Sequence, residues 1–272
     1  MNAPPIRKSK QRIVSLAPSV TSILCEIGAR HLLVGVSKWC RDVANVDGLP
    51  QLGDCWHLNS VEEILALQPT LVVGSVPYKQ ETVAKLLEKP VNFLAMNPRT
   101  LADVYADIQL LGDIAKRDAA AVRLINKMRT EFSNIQKRSR RLQRPVRVYC
   151  EAWPNPRISS PPWVADLVEI CGGQMVVRAG EKVSDEVVAA ANPEAIVLAW
   201  AAVGEKSKPE KSYQLAAWRD VAAIRDRRVV VIPDELLNTP GPPLILGARR
   251  LLDAIHGNRS NAHKKQSPIR KR

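Results

Sequence analysis

From Thr100 to Arg141 the chain runs without proline and with a single glycine, and this stretch constrains the fold more than any other. The spacing predicts helix throughout, yet one unbroken helix of that length would reach about 63 Å, so a break is expected. Asp118 is placed to cap a second helix, making Ala119–Arg141 a rod of about 35 Å with Val122, Ile125, Met128 and Phe132 on one stripe. Gln143, Arg144 and Pro145 end it.

On either side of the rod, short apolar runs alternate with helical spacing. Ile13–Leu16, Leu32–Val36, Leu71–Val73 and Val91–Ala95 read as strands. Between them lie a helix closing at Gly28, a helix capped by Ser60 and stopped before Pro69, and a helix over Thr82–Glu88. After the rod come strand Val146–Cys150, helix Val164–Ile170, a short strand near Met175–Val177, helix Asp185–Ala191, strands Ala195–Ala199 and Val229–Ile232, and a last helix from about Pro243 to Ile255. Such alternation with short connections favours parallel sheets covered by helices. The expected organisation is therefore an N-terminal α/β lobe over 12–117, a backbone helix over 118–141 and a C-terminal α/β lobe over 145–257. Residues 1–11 and 258–272 are expected to be basic flexible tails.

A formal charge of +13 raises the question of nucleic acid, but its distribution argues against it. Arg7, Lys8, Lys10 and Arg12 lie at one end, and Arg259, Lys264, Lys265, Arg270, Lys271 and Arg272 at the other. A further cluster, Lys137, Arg138, Arg140, Arg141, Arg144 and Arg147, falls where the rod ends. These read as solvated tails and a solvated helix end, with contact to an anionic surface as the alternative. No apolar run of signal-peptide length precedes the first predicted strand, so the chain as written is expected in the cytoplasm. Five cysteines without CxxC or zinc-ligand spacing give no metal signal.

Catalytic signatures of the GxSxG, GxxxxGK[ST], HExxH and GxGxxG kinds are missing. An enzyme on this scaffold would need a base, a nucleophile or a metal set, and only the Asp54, Cys55, His57 group offers one. Aromatic usage is more informative: the chain has six tryptophans against two phenylalanines and four tyrosines. Trp39, Trp56, Trp153 and Trp163 fall on predicted loops after strands or at helix starts, where open α/β sheets bind ligands. Rigid rings there suit a broad, partly apolar ligand.

RIVSLAPSVTSILCEIGA, LVGVSKWC and LPQLGDCWHLNSVEEILALQPTLVVGS, in that order, resemble the first lobe of the periplasmic-binding-protein family with a helical backbone. PPWVADLVEICGG, VSDEVVAAANPEAIVLAW and LLNTPGPPLILGARRLLDAI resemble the second lobe of its cobalamin-binding branch, and the likeness covers about residues 12–257. The resemblance implies two Rossmann-like lobes with parallel sheets joined by one long helix. It implies a non-enzymatic, monomeric binding protein that captures cobalamin or a related corrinoid in an inter-lobe cleft, for ABC-type import or intracellular handling, with iron-siderophore and haem binding as alternatives. Trp39 then takes the place of an aromatic facing the corrin, and Trp56 that of a ring-contacting tryptophan six residues before Glu62. The corresponding position before Glu186 is Gly180, so Trp153 and Trp163 are left to supply aromatic surface. Asn59, Asn155 and Ser159 would meet peripheral amides, while His57, Cys40 or Cys55 could reach the cobalt. Arg41 and Arg157 are the only arginines on candidate ligand loops. Glu62 and Glu186 match the carboxylates with which relatives dock on an ABC permease, and the resemblance implies the periplasm.

Overall fold

The computed structural model describes residues 11–140, 144–201 and 209–257; both expected tails lie largely outside them. By its internal contacts the chain divides into two compact units, the first reaching Arg129 and including Thr239–Pro243, the second formed by Thr130–Asn238 and the chain from Leu244 onward.

Apolar runs too short for a helix become the strands of the first unit. They are β1 (Ile13–Ser15), β2 (Leu33–Ser37), β3 (Gln51–Leu52), β4 (Leu71–Ser75) and β5 (Phe93–Met96), all parallel, in the order β3-β2-β1-β4-β5. Ile13 and Val14 are fully buried at the centre of this sheet, as strands covered on both faces require. The covering helices are α1 (Pro18–Glu26), α2 (Val61–Ala66), α3 (Gln80–Leu87) and α4 (Leu101–Ala115). Helix α1 has proline in its first turn, where no amide partner is lost, and buries Val20, Ile23 and Leu24 completely. Each such side chain contributes about 1.5–3 kcal/mol on burial.

The expected break in the long helical stretch falls at Lys116, which adopts the left-handed conformation that ends α4. Thr100 and Asp103 close the other end of α4 as a reciprocal capping box. Helix α5 (Asp118–Ser139) then begins with Asp118 inside its first turn. Its buried apolar positions are Ala121, Leu124, Ile125, Met128, Phe132 and Ile135. Val122, expected on that stripe, is instead 46% exposed, because the buried line starts one residue earlier at Ala121. Ala121 is small enough to let α5 approach Gly112 of α4, where an added Cβ would stand 2.4 Å from the Ala121 methyl.

In the second unit β6 (Val146–Pro154) is the organising strand. It pairs in parallel with β8 (Gly173–Met175) through its first half and with β9 (Ala195–Leu198), and β9 pairs in parallel with β10 (Val229–Val231). The far half of β6 pairs with β7 (Arg157–Ser159), which runs antiparallel, so this sheet is parallel with one reversed strand. Helices α6 (Pro162–Ile170), α7 (Asp185–Ala191), α8 (Glu210–Tyr213), α9 (Ala222–Arg225), α10 (Asp234–Leu237) and α11 (Leu244–His256) complete the unit. Tyr149, Ile196, Leu198, Trp200, Trp218 and Val221 form much of its core.

Candidate functional site

The carboxyl edge of the first sheet is built by the loops that leave β2 and β3, two neighbouring strands. Trp39 lies in a short 3-10 turn, Lys38–Asp42, directly after β2. The loop after β3 closes on itself: the Asp54 amide donates to the carbonyl of His57 at 2.9 Å. That closure requires glycine at 53, where an added Cβ would stand 2.2 Å from the same carbonyl oxygen. One oxygen of the Asp54 carboxylate, Oδ1, accepts from the backbone amides of Trp56 at 2.8 Å and His57 at 2.7 Å. The other, Oδ2, accepts from the Trp39 indole Nε1–H at 2.9 Å. A single carboxylate thereby ties the two loops together. The Thr82 hydroxyl donates to the Trp56 carbonyl at 3.2 Å and the Lys79 amide to the Cys55 carbonyl at 3.0 Å, so the loop is also pinned near α3.

Trp56 emerges from this frame 47% exposed, with His57 and Asn59 exposed beside it. Trp39 is half-buried, and the Lys38 ammonium lies 4.5 Å from its ring centroid. The two thiols named beside His57 are packed away from solvent: Cys40 and Cys55 are buried, and burial pushes the Cys55 thiol up to about 12. Cys40 accepts from the Thr21 hydroxyl in a packed cluster with Ser37. Among the described residues no three His, Cys, Asp or Glu side chains come together as a metal site.

In the second unit the expected residues separate. Trp153, on the outer half of β6, is 39% exposed, and its indole N–H donates to the Asn155 carbonyl at 2.9 Å. Trp163 is buried, 2% exposed, with its N–H on the Leu237 carbonyl at 2.8 Å; its place in the first turn of α6 sets the ring into the core, where it packs instead of facing a ligand. Ser159 is likewise buried, donating to the Arg178 carbonyl, while Asn155 is exposed. Gly180 has φ +77 and turns the chain where the Ser160 carbonyl accepts its amide.

The sequence reading passed over a buried ionic network on β6. Glu151, fully buried, accepts from the Tyr149 hydroxyl at 2.8 Å, the Trp200 indole at 2.8 Å and Arg157 Nη1 at 2.6 Å. Arg157 also pairs with Asp185, the first residue of α7, and lies 4.3 Å from the Trp218 ring centroid. Burial works against the guanidinium charge, but Glu151 and Asp185 outweigh it and leave its pKa raised. The signal available was a period of two: Tyr149 and Glu151 alternate along the strand and so share a face, ahead of the irregularity between Glu151 and Trp153.

Glu62 and Glu186 stand exposed in the first turns of α2 and α7. The Ser60 hydroxyl, the Glu62 amide and Lys89, 3.2 Å away, hold the Glu62 carboxyl at about 2. The Ser184 hydroxyl and the Glu186 amide hold the Glu186 carboxyl below its usual value. Arg41 is engaged by the Gln51 side chain and the Lys38 carbonyl, both at 2.9 Å.

Residues 13–236 match the family described as periplasmic binding protein. The uncharacterized ABC transporter substrate-binding lipoprotein YvrC of Bacillus subtilis is 24% identical over 263 residues, 92% of this chain and 82% of that protein. The vitamin B12-binding protein of Pectobacterium atrosepticum is 24% identical over 259 residues, 90% of this chain and 88% of that one. Among solved structures, the periplasmic heme-binding protein RhuT of Roseiflexus sp. RS-1 superposes with a TM-score of 0.77 at 23% identity, over 90% of this chain and 98% of that one. The chain belongs to the periplasmic binding protein family and is a substrate-binding protein, not an enzyme.

Proposed function

We propose that this protein captures a macrocyclic metal chelate, cobalamin or a related corrinoid, and presents it to an ABC importer outside the cytoplasmic membrane. The observation that carries the reading is the pair of indoles on adjacent loops of the first sheet, Trp39 and Trp56, held by one carboxylate with Trp56 half exposed. An indole that polar contacts hold partly in water is a ready platform for a flat apolar ring. Asn59, exposed beside Trp56, suits the amides at a corrin rim. Kinship with a vitamin B12-binding protein supports this ligand, and kinship with an ABC transporter lipoprotein supports the partner. Glu62 and Glu186 are the proposed docking carboxylates; both stay ionised at neutral pH, where they would steer association with a basic permease surface.

Haem is the second reading. It rests on His57, whose exposed imidazole beside Trp56 is a ligand type that haem iron accepts, and on the fold shared with a heme-binding protein. An anionic siderophore fits less well, because Arg41 and Arg157 are already engaged by protein partners. Tryptophan quenching and visible absorption during titration with aquocobalamin, cyanocobalamin, haemin and a ferric siderophore separate the three. One-to-one saturation by a cobalamin is the expected result. Silence toward both cobalamins at high micromolar concentration would overturn the corrinoid reading, and a Soret shift lost in His57→Ala would install haem in its place.

A further inference from the structure

We infer that Asp54 is a positioning residue that sets the two indoles of the first unit in register for the ligand; this rests on the ligand surface proposed above. The carboxylate divides its work. Oδ1 caps the turn by accepting the Trp56 and His57 amides, which fixes the backbone that carries the exposed ring. Oδ2 reaches across to the neighbouring loop and fixes the Trp39 ring by its N–H. The pairing of β2 with β3, Val36 with Gln51 and Ser37 with Leu52, brings the roots of the two loops together, but it ends two residues before Trp39 and four before Trp56. The Asp54 carboxylate ties the two loops through its hydrogen bonds to the Trp39 indole and the Trp56 amide. A face assembled from two loops ordinarily costs ordering entropy when a ligand settles on it. Here that ordering precedes the ligand, because a charged acceptor holds three N–H donors at 2.7–2.9 Å. The loop's self-closure at Gly53 keeps the carboxylate itself from swinging away.

The two halves of this role are separable by substitution. In Asp54→Asn the amide oxygen can still cap the turn, but the amide nitrogen then faces the Trp39 N–H, donor against donor. Trp39→Phe keeps a ring and removes the N–H. The experiment records the indole N–H resonances of the ligand-free protein, with Trp39 assigned by its absence in Trp39→Phe, together with thermal melts and titrations with cyanocobalamin and haemin. Asp54→Asn is expected to shift the Trp39 indole resonance and speed its exchange with water. It is expected to weaken binding of whichever probe the wild type takes by about tenfold, the effect of losing one hydrogen bond to a charged acceptor. In the Trp39→Phe background the same change is expected to add nothing. An unmoved indole resonance overturns the tie. A moved resonance with unchanged affinity, or an equal loss of affinity in both backgrounds, overturns the positioning role. If the wild type binds neither probe, the ligand reading falls with the positioning role built on it, while the resonance alone still decides whether the tie exists.

Discussion

Glu151→Gln tests whether the buried network of the second unit is ionic in substance as well as in geometry. The glutamate has no solvent exposure and accepts three donors, with Trp200 on Oε1 and Tyr149 and Arg157 on Oε2. Glutamine keeps the shape but has one acceptor oxygen. If that oxygen faces Trp200, the amide nitrogen opposes Arg157; if it faces Arg157, the nitrogen opposes the Trp200 indole. Either way a buried donor loses its partner, which costs about 1–3 kcal/mol. The Arg157 side chain, 12% exposed, also loses one of its two carboxylates. Removing one member of a buried pair costs about 3–5 kcal/mol when nothing replaces it, and Asp185 stays in place here, so about 3 kcal/mol is the expected total. Urea unfolding followed by tryptophan fluorescence measures it, with Trp200 and Trp218 reporting on this unit. Arg249→Ala is the control, since its pair with Glu131 is open to solvent and should be worth less than about 1 kcal/mol. A Glu151→Gln loss no larger than the control's would refute the ionic reading.

Trp163→Phe should lower stability by about 1 kcal/mol through the orphaned Leu237 carbonyl and leave ligand affinity unchanged, as paired melts and titrations would show. Asp107 has its pKa raised to about 6, first by burial and then by the charge of Asp103. The folded state thus holds this proton more tightly than the unfolded chain, so stability falls as pH rises from about 4 to about 6. Asp107→Asn should match the wild type in melting temperature at pH 4 and exceed it at pH 7.5. Glu62→Gln with Glu186→Gln should leave ligand affinity and melting temperature within error of wild type, yet slow uptake in vesicles carrying the cognate permease, most visibly at low salt.

The alternation of apolar runs with helical spacing was sufficient for the two α/β units and the long helix, because buried parallel strands need continuous apolar sequence and helices need a stripe. What it could not reveal were elements whose cause lies elsewhere in the chain. Strand β3 has two residues and exists because Val36 and Ser37 offer it an edge, and β7 reverses because it folds back on the outer half of β6. The tryptophans show the same limit at the site. Trp39, Trp56, Trp153 and Trp163 are alike as letters, and partners distant in sequence decide their exposure. Leu237, 74 residues on, draws Trp163 inward, while Asp54 holds Trp39 at the rim. Glu151 lies just past the strand predicted over Val146–Cys150, and its counter-charge and Trp200 are supplied by other segments.

Calorimetric titration of wild type and Trp56→Ala with cyanocobalamin bears most directly on the proposed capture of a corrinoid by the first unit's aromatic rim. One site per chain, weakened about tenfold when the exposed ring is removed, is the predicted outcome, equivalent to about 1.4 kcal/mol of ring contact. Equal affinity in the two proteins, or no heat in either, would contradict it.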